Sequence, residues 1–333
     1  MTEPAASADP WALSALHLYA QVSVGLALYL YGGVSTPAWL SVLIAAGPLT
    51  LLALLLRRGA ARGPMPRRLA WLPGIACLLD GLYAFFALCS LLRDLAPDLD
   101  VRIAAPAYGL ILGVALLSAP DRDALPRLGR LALPALGGLL LFCLLCVPGR
   151  GRFERFFPLL GFGPLPVLRG ALWVFGASAT ALTPLLSPGE TPGKVLSRLL
   201  PALLFASATA AAAAWLLPAR ALCAPRTVGW RLMLISHTTP SVPCWSAQAA
   251  ALLLLLMLSM CTGVRRGVAL LTGNAEKTGK ENAAAAVLLL LAALFAAFRE
   301  EETKALLLGA GPWRAAPVTA AAAWLCLRRK EKE

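Results

Sequence analysis

Asp80 stands in "CLLDGLYAFFALCS" with about ten apolar-rich residues before it, and it is the one acidic residue deep in an apolar stretch of this chain. A carboxylate at such depth is costly, and it faces a cavity or a partner. Two kinds of chemistry fit it: a site for a ligand ammonium or a coupled cation, or a hydrogen-bonded, partly hydrated carboxylate near the membrane edge. Tyr83, one turn on, shares its helical face. Gln248, Ser259 and Thr262 fall on one face of another apolar stretch, a polar stripe suited to a ligand or to bonds between helices. Ser23 and Gly25 near the start, and Gly170, Gly176 and Ser178 in "VLRGALWVFGASAT", are positions where a helix can open and offer backbone groups to a ligand.

Other reactive types point elsewhere. His17 and His237 lie far apart, with no Cys or carboxylate cluster beside either in sequence, so a metal site is not expected. Cys143 and Cys146 form a CxxC, but "LLLFCLLCVP" offers nothing to stabilise a thiolate, and packing is its simpler role. Cys223 and Cys244 are placed where a disulfide is conceivable. No HExxH, GxSxG, P-loop or pair of intramembrane aspartates occurs, so neither an enzyme nor a cofactor is expected.

The elements that position these residues follow from composition. Of 333 residues, 59% are hydrophobic and 14% charged, with a mean hydropathy of +0.73, outside the range of ordinary globular domains. Spans near 20 apolar residues match a hydrocarbon core of about 30 Å. Ten are read: 11–31, 38–56, 71–92, 101–119, 131–147, 166–187, 196–217, 244–264, 283–298 and 304–327. This predicts an all-α polytopic membrane protein with one membrane domain. Residues 218–243 are expected as an outer segment lying on the membrane surface.

The net charge of +13 is topological rather than a sign of nucleic acid. With the N-terminus cytoplasmic, 18 of the 30 Lys and Arg fall in inside segments and 10 in outside ones; Arg169 and Arg314 lie in spans. That bias places both termini in the cytoplasm. Arg169 suits snorkelling or an outer gate, and Arg314, beside Pro312 and Trp313, suits an interface anchor. "REEETK" at 299–304 reads as a solvated turn. "MTEPAASADP" has neither a basic region nor a cleavage pattern, so the first span is expected to stay as an anchor.

Ten spans with both ends inside divide into five and five, 11–147 and 166–327, the second half inverted against the first. In such transporter-like folds the first helix of each half is broken near the midplane. The sixth span, with its glycines and Pro184, fits well, and the first, with Ser23 and Gly25, fits more weakly.

The stretch "FFPLLGFGPLPVLRGAL" resembles the run into the sixth helix of the spore germination permeases, the integral-membrane B subunits of endospore nutrient-germinant receptors. Pro158, Leu159, Leu160, Gly161, Gly163, Pro166, Leu168 and Gly170 sit where that motif, "LLPVLGxGxxPxLxGAL", places them. "AWLSVLIAAGPLTLLALLL" (38–56) and "AAPVTAAAAWLCLRRKEKE" are similar to the family's second and last helices. The eighth helix departs from it, with Ser246 and Gln248 and no charge where the family commonly has an acidic residue. The resemblance implies the amino acid–polyamine–organocation superfamily fold and recognition of a small nutrient, an amino acid or a sugar. It also implies an A subunit and a lipoprotein C subunit as partners in the spore inner membrane. A cation-coupled amino-acid transporter and a non-binding structural membrane subunit are the alternatives.

Overall fold

The computed structural model describes residues 10–26, 31–60, 71–95, 100–118, 162–186, 195–216, 244–272, 278–299 and 311–327, with a few single positions between them. Among the described residues the chain is all-helical. The helices are α1 (Pro10–Gly25), α2 (Tyr31–Val34), α3 (Ala38–Ala60), α4 (Trp71–Leu95) and α5 (Val101–Ser118) in the first half. Then come α6 (Pro164–Ala179), α7 (Val195–Leu216), α8 (Cys244–Thr272), α9 (Thr278–Phe298) and α10 (Ala316–Leu327). Two 3₁₀ segments, Thr180–Leu186 and Pro312–Ala315, continue α6 and precede α10.

Six of these helices are long and apolar enough to cross a membrane, which makes this an integral membrane protein. The predicted spans from 38 to 119 and from 166 to 298 each coincide with a helix to within a few residues at most ends, though α8 runs eight residues beyond its predicted end. The span at 131–147 falls almost wholly outside the described residues, as do the surface segment 218–243 and the CxxC of Cys143 and Cys146. Residue 223 also lies outside them, so the Cys223 to Cys244 pairing is not addressed. Outward apolar side chains such as Ile103, Ile111, Leu168 and Leu172 form the lipid-facing surface that an apolar bundle must present.

Packing is governed by small residues, because lipid competes with any apolar side chain for contact and only close backbone approach favours helix over lipid. Gly74 and Gly81 on α4 meet Gly263 and Gly267 on α8. A Cβ at Gly267 would lie 2.8 Å from the Leu78 nitrogen, and one at Gly263 would lie 3.0 Å from the Cys77 carbonyl oxygen. Gly74 faces Leu271 and Gly81 faces Val264, so the two helices run antiparallel. Gly109 against Ala293 and Gly113 against Ala286 make a second antiparallel pair, α5 with α9. In the other layer α3 packs on α6 and α7, tied by Ser41 Oγ donating to the Val167 carbonyl (2.9 Å) and Ser207 Oγ to the Trp39 carbonyl (3.0 Å). α1 lies against α6, α7 and α8.

The breaks expected in the two halves fare differently. α1 is described to Gly25, Leu26 continues it as a π turn, and residues 27–30 lie outside the described ones, so the break expected there is not addressed. α6, however, runs unbroken through Gly170 and Gly176, both buried, and loses α-geometry only at Thr180. The glycines serve close packing within a continuous helix. The change is made by Pro184, which has no N–H for the Thr180 carbonyl and whose ring crowds that carbonyl, so the chain tightens to 3₁₀. Gly163, in the motif leading into α6, has φ +118°, a conformation closed to other residues at little cost only for glycine. Its amide donates to the Leu160 carbonyl (2.8 Å), and Pro164 follows as the first helical residue.

Candidate functional site

Five segments converge on Asp80. α1 contributes His17 and Gln21, one helical turn apart on the same face. α4 contributes Asp80 and Tyr83, the 3₁₀ segment contributes Thr180, α8 contributes Ser259, and the short turn before α10 contributes Arg314. Asp80 is 1% exposed and Arg314 2%, so this carboxylate–guanidinium pair lies inside the bundle.

The carboxylate is ligated on both oxygens. Oδ1 accepts from Arg314 Nη1 (2.9 Å), and Oδ2 accepts from Thr180 Oγ1 (2.7 Å) and from His17 Nε2. The other ring nitrogen of His17, Nδ1, pairs with Ser259 Oγ. Gln21 closes the ring, its Nε2 donating to the Asp80 carbonyl (3.3 Å) and its Oε1 accepting from Arg314 Nη1 (3.0 Å). Charge, hydrogen bonding and aromatic faces act together, since the guanidinium carbon of Arg314 lies 3.8 Å above the Tyr83 ring and 5.6 Å from that of Trp173. One turn before Asp80 on the same face of α4, Cys77 Sγ donates to Thr183 Oγ1 (3.4 Å), so the 3₁₀ spacing of three matches the helix turn it packs against.

Trp173 is the wedge of the site. It is the largest fully buried side chain, tilted against Tyr83 with ring centroids 6.2 Å apart. Its indole fills the space where a Cβ of Gly25 or Gly311 would stand. The end of α1 and the turn that carries Arg314 are thus both seated on one ring.

Of the residues expected from sequence, Asp80, Tyr83 and Ser259 come together here. Asp80 is enclosed within the bundle and fully hydrogen-bonded rather than hydrated. Gly25 lies against Trp173, whose ring occupies the space a side chain there would need. Ser178 is buried and Ser23 half-buried, and neither hydroxyl has a partner among the described residues. The side chain of Gln248 lies outside the described residues. Thr262 does not extend a stripe between helices, because its hydroxyl donates to the carbonyls of Leu258 (2.9 Å) and Ser259 (3.0 Å) in its own helix.

Arg314 is the largest correction. An interface anchor would be exposed at its tip, whereas this guanidinium is the counter-charge of Asp80, 234 residues away. His17, set aside as isolated, is likewise a direct neighbour of Asp80. The available signal was local: His17 and Gln21 are polar residues four apart in an apolar span, which marks an inward face. Arg169 is exposed on α6, as snorkelling requires. Arg299 donates to Glu302 Oε1 (2.6 Å) with both side chains at least half exposed, consistent with a solvated turn at 299–304.

The series Asp80, His17, Ser259 has the order of carboxylate, imidazole and hydroxyl that activates a nucleophile. Ser259, however, lies in the middle of α8, where the amides around it are engaged in helix hydrogen bonds and none is free to hold an oxyanion. Among the described residues no group of three His, Cys, Asp or Glu side chains could hold a metal ion.

The fold and site define a helical integral membrane protein with a buried polar centre built on a carboxylate and a guanidinium. No family model matches the chain, and no curated protein matches it.

Proposed function

We propose that this protein is the membrane subunit of a spore germinant receptor, binding a small nutrient, an amino acid or a sugar, at the Asp80 centre. The observation that carries this reading is the centre itself. A carboxylate, a guanidinium and an imidazole are brought together from five segments where α1 ends and α6 turns to 3₁₀. Buried charge gains little stability for a bundle that apolar side chains would hold as well, and within membrane helices such groups mark ligand or ion sites.

Helix pairing supports a five-plus-five arrangement. Numbered by predicted span, the second packs on the seventh (α3, α7), the third on the eighth (α4, α8) and the fourth on the ninth (α5, α9), while the first meets the sixth (α1, α6). These four helices each meet their counterpart in the other half, an arrangement that an axis in the membrane plane accommodates; the fifth span lies almost wholly outside the described residues. The 155–170 motif supports the family assignment, with its Gly163 at a backbone conformation that suits glycine. In this reading, binding biases a conformational equilibrium that the A subunit and the lipoprotein C subunit sense.

Thermal stabilisation of the purified protein by a panel of amino acids and sugars tests the proposal. A shift with one nutrient that disappears in Thr180→Val, which leaves the ion pair intact, supports a pocket at the centre. No shift with any compound, in protein shown to be folded, moves the reading to a structural subunit. The His17 bridge between Asp80 and Ser259 favours a second reading, an amino-acid transporter coupled to a proton or other cation through Asp80. Nutrient-dependent proton flux in proteoliposomes, absent in Asp80→Asn, would select it.

A further inference from the structure

We propose that the Asp80 centre is a site for a small organic cation, an ammonium or guanidinium group, and that Arg314 fills it from within the chain. The inference rests on the reading of this centre as the ligand site and names the chemical class it takes.

The groups around the Arg314 head are those that recognise a cation. Asp80 Oδ1 and Gln21 Oε1 accept from it at 2.9 and 3.0 Å, and the Tyr83 and Trp173 rings present their faces at 3.8 and 5.6 Å. A carboxylate with two aromatic faces serves any ammonium or guanidinium, not arginine alone.

Arg314 itself is incompletely held. Its Nη1 makes both hydrogen bonds, while Nε and Nη2, buried with the rest, have no partner among the described residues. A permanent structural guanidinium in a bundle core has its fork satisfied, because each buried donor left unpaired costs free energy. The residue also sits on a four-residue turn, Pro312–Ala315, rather than within a long helix.

Charge supports exchange over addition. Asp80 and Arg314 cancel, so a monocation entering beside Arg314 would leave a net buried charge, which a low-dielectric interior resists. A monocation that replaces Arg314 leaves the charge of the centre unchanged and restores the contacts to Asp80, Gln21 and the rings.

The test is chemical rescue in the full-length detergent-purified protein, with methylguanidinium chloride as probe and sodium chloride, urea and sodium acetate as controls. In Arg314→Ala, methylguanidinium is expected to raise Tm saturably at about millimolar concentration, the range for a ligand with few contacts. The wild type should need at least about tenfold more, because Arg314 competes as a tethered occupant. Rescue should vanish in Asp80→Asn/Arg314→Ala. If Arg314→Ala does not fold, Arg314→Gln, which keeps a neutral donor near Asp80, is used in the same way.

A shift no larger than that given by sodium chloride, or an equal shift without Asp80, overturns the proposal. So does stabilisation of the wild type by acetate with none by methylguanidinium in the variant, which would make the open Nε and Nη2 edge an anion site. Rescue with a silent nutrient panel leaves the cation site standing and removes the receptor reading. A positive panel without rescue does the reverse.

Discussion

Neutralising Asp80 while Arg314 remains strands a guanidinium among apolar helices. Asp80→Asn is therefore expected to cost about 3–5 kcal/mol, the usual result of breaking a buried ion pair from one side. The double variant Asp80→Asn/Arg314→Met should recover much of that loss, because no charge is left unpaired; unfolding of the four proteins in a double-mutant cycle reads the coupling. Additivity would mean that the two groups do not interact. Thr180→Val removes one donor to a carboxylate that keeps two others, and about 1–2 kcal/mol is expected. The exposed pair of Arg299 and Glu302 is the contrast. Its own backbone amide, then Arg299, holds the Glu302 carboxyl below the ordinary value of 4.5. A depressed carboxyl contributes stability above its unfolded value and loses it as pH falls through the folded one. Solvent around both side chains, each at least half exposed, screens the effect, so Arg299→Ala should leave Tm unchanged at neutral pH and produce no acid-linked step.

At the scale of elements, the place where α6 changes to 3₁₀ sets the position of Thr180. Pro184→Ala restores an N–H for the Thr180 carbonyl and should let the α-helix run on, turning Thr180 away from Asp80. The expected outcome is a near-normal Tm with the nutrient response reduced to that of Thr180→Val, measured by the same thermal shift. Gly267→Val should instead be severe, because its Cβ would stand 2.8 Å from the backbone nitrogen of Leu78 with no flexible atom to yield. Loss of the monodisperse peak on size exclusion checks it. These cases show what the sequence made legible. Helix positions were readable because lipid imposes one length and one composition on every span. Asp80 was readable because a lone intramembrane carboxylate has no inexpensive explanation. Its partner was not, since no local pattern joins residues 80 and 314, and Pro312 and Trp313 beside the arginine suggested a membrane interface. The glycines of α6 were read as breaks because glycine permits unwinding, but permission is not a cause, and the missing N–H of Pro184 is.

For the whole molecule, the paired helices make a prediction about topology. Single cysteines placed at Arg62 and Lys277, in segments expected on the cytoplasmic side, should react with a membrane-impermeant maleimide only after the cell is opened, while one at Arg226 should react in intact cells. The five-plus-five reading requires all three results, because an odd number of spans separates each half from its inverted counterpart. Labelling of all three in intact cells would exclude it. A mixed pattern would shift the orientation of one half and with it the assignment of inside and outside segments.

The centre also constrains the order of synthesis. Asp80 enters the bilayer with the third predicted span, but the guanidinium that neutralises it is made 234 residues later. Until then the nascent bundle carries a carboxylate whose counter-charge does not yet exist, held by His17 from an earlier helix and, once the sixth span is made, by Thr180. A ribosome-bound chain ending at Phe298 should therefore be a target for membrane quality control, and its lifetime in a pulse-chase should lengthen when Asp80→Asn is introduced. The expected lengthening ties the lifetime of the shortened chain to one unpaired carboxylate, and an unchanged lifetime in Asp80→Asn would break that link.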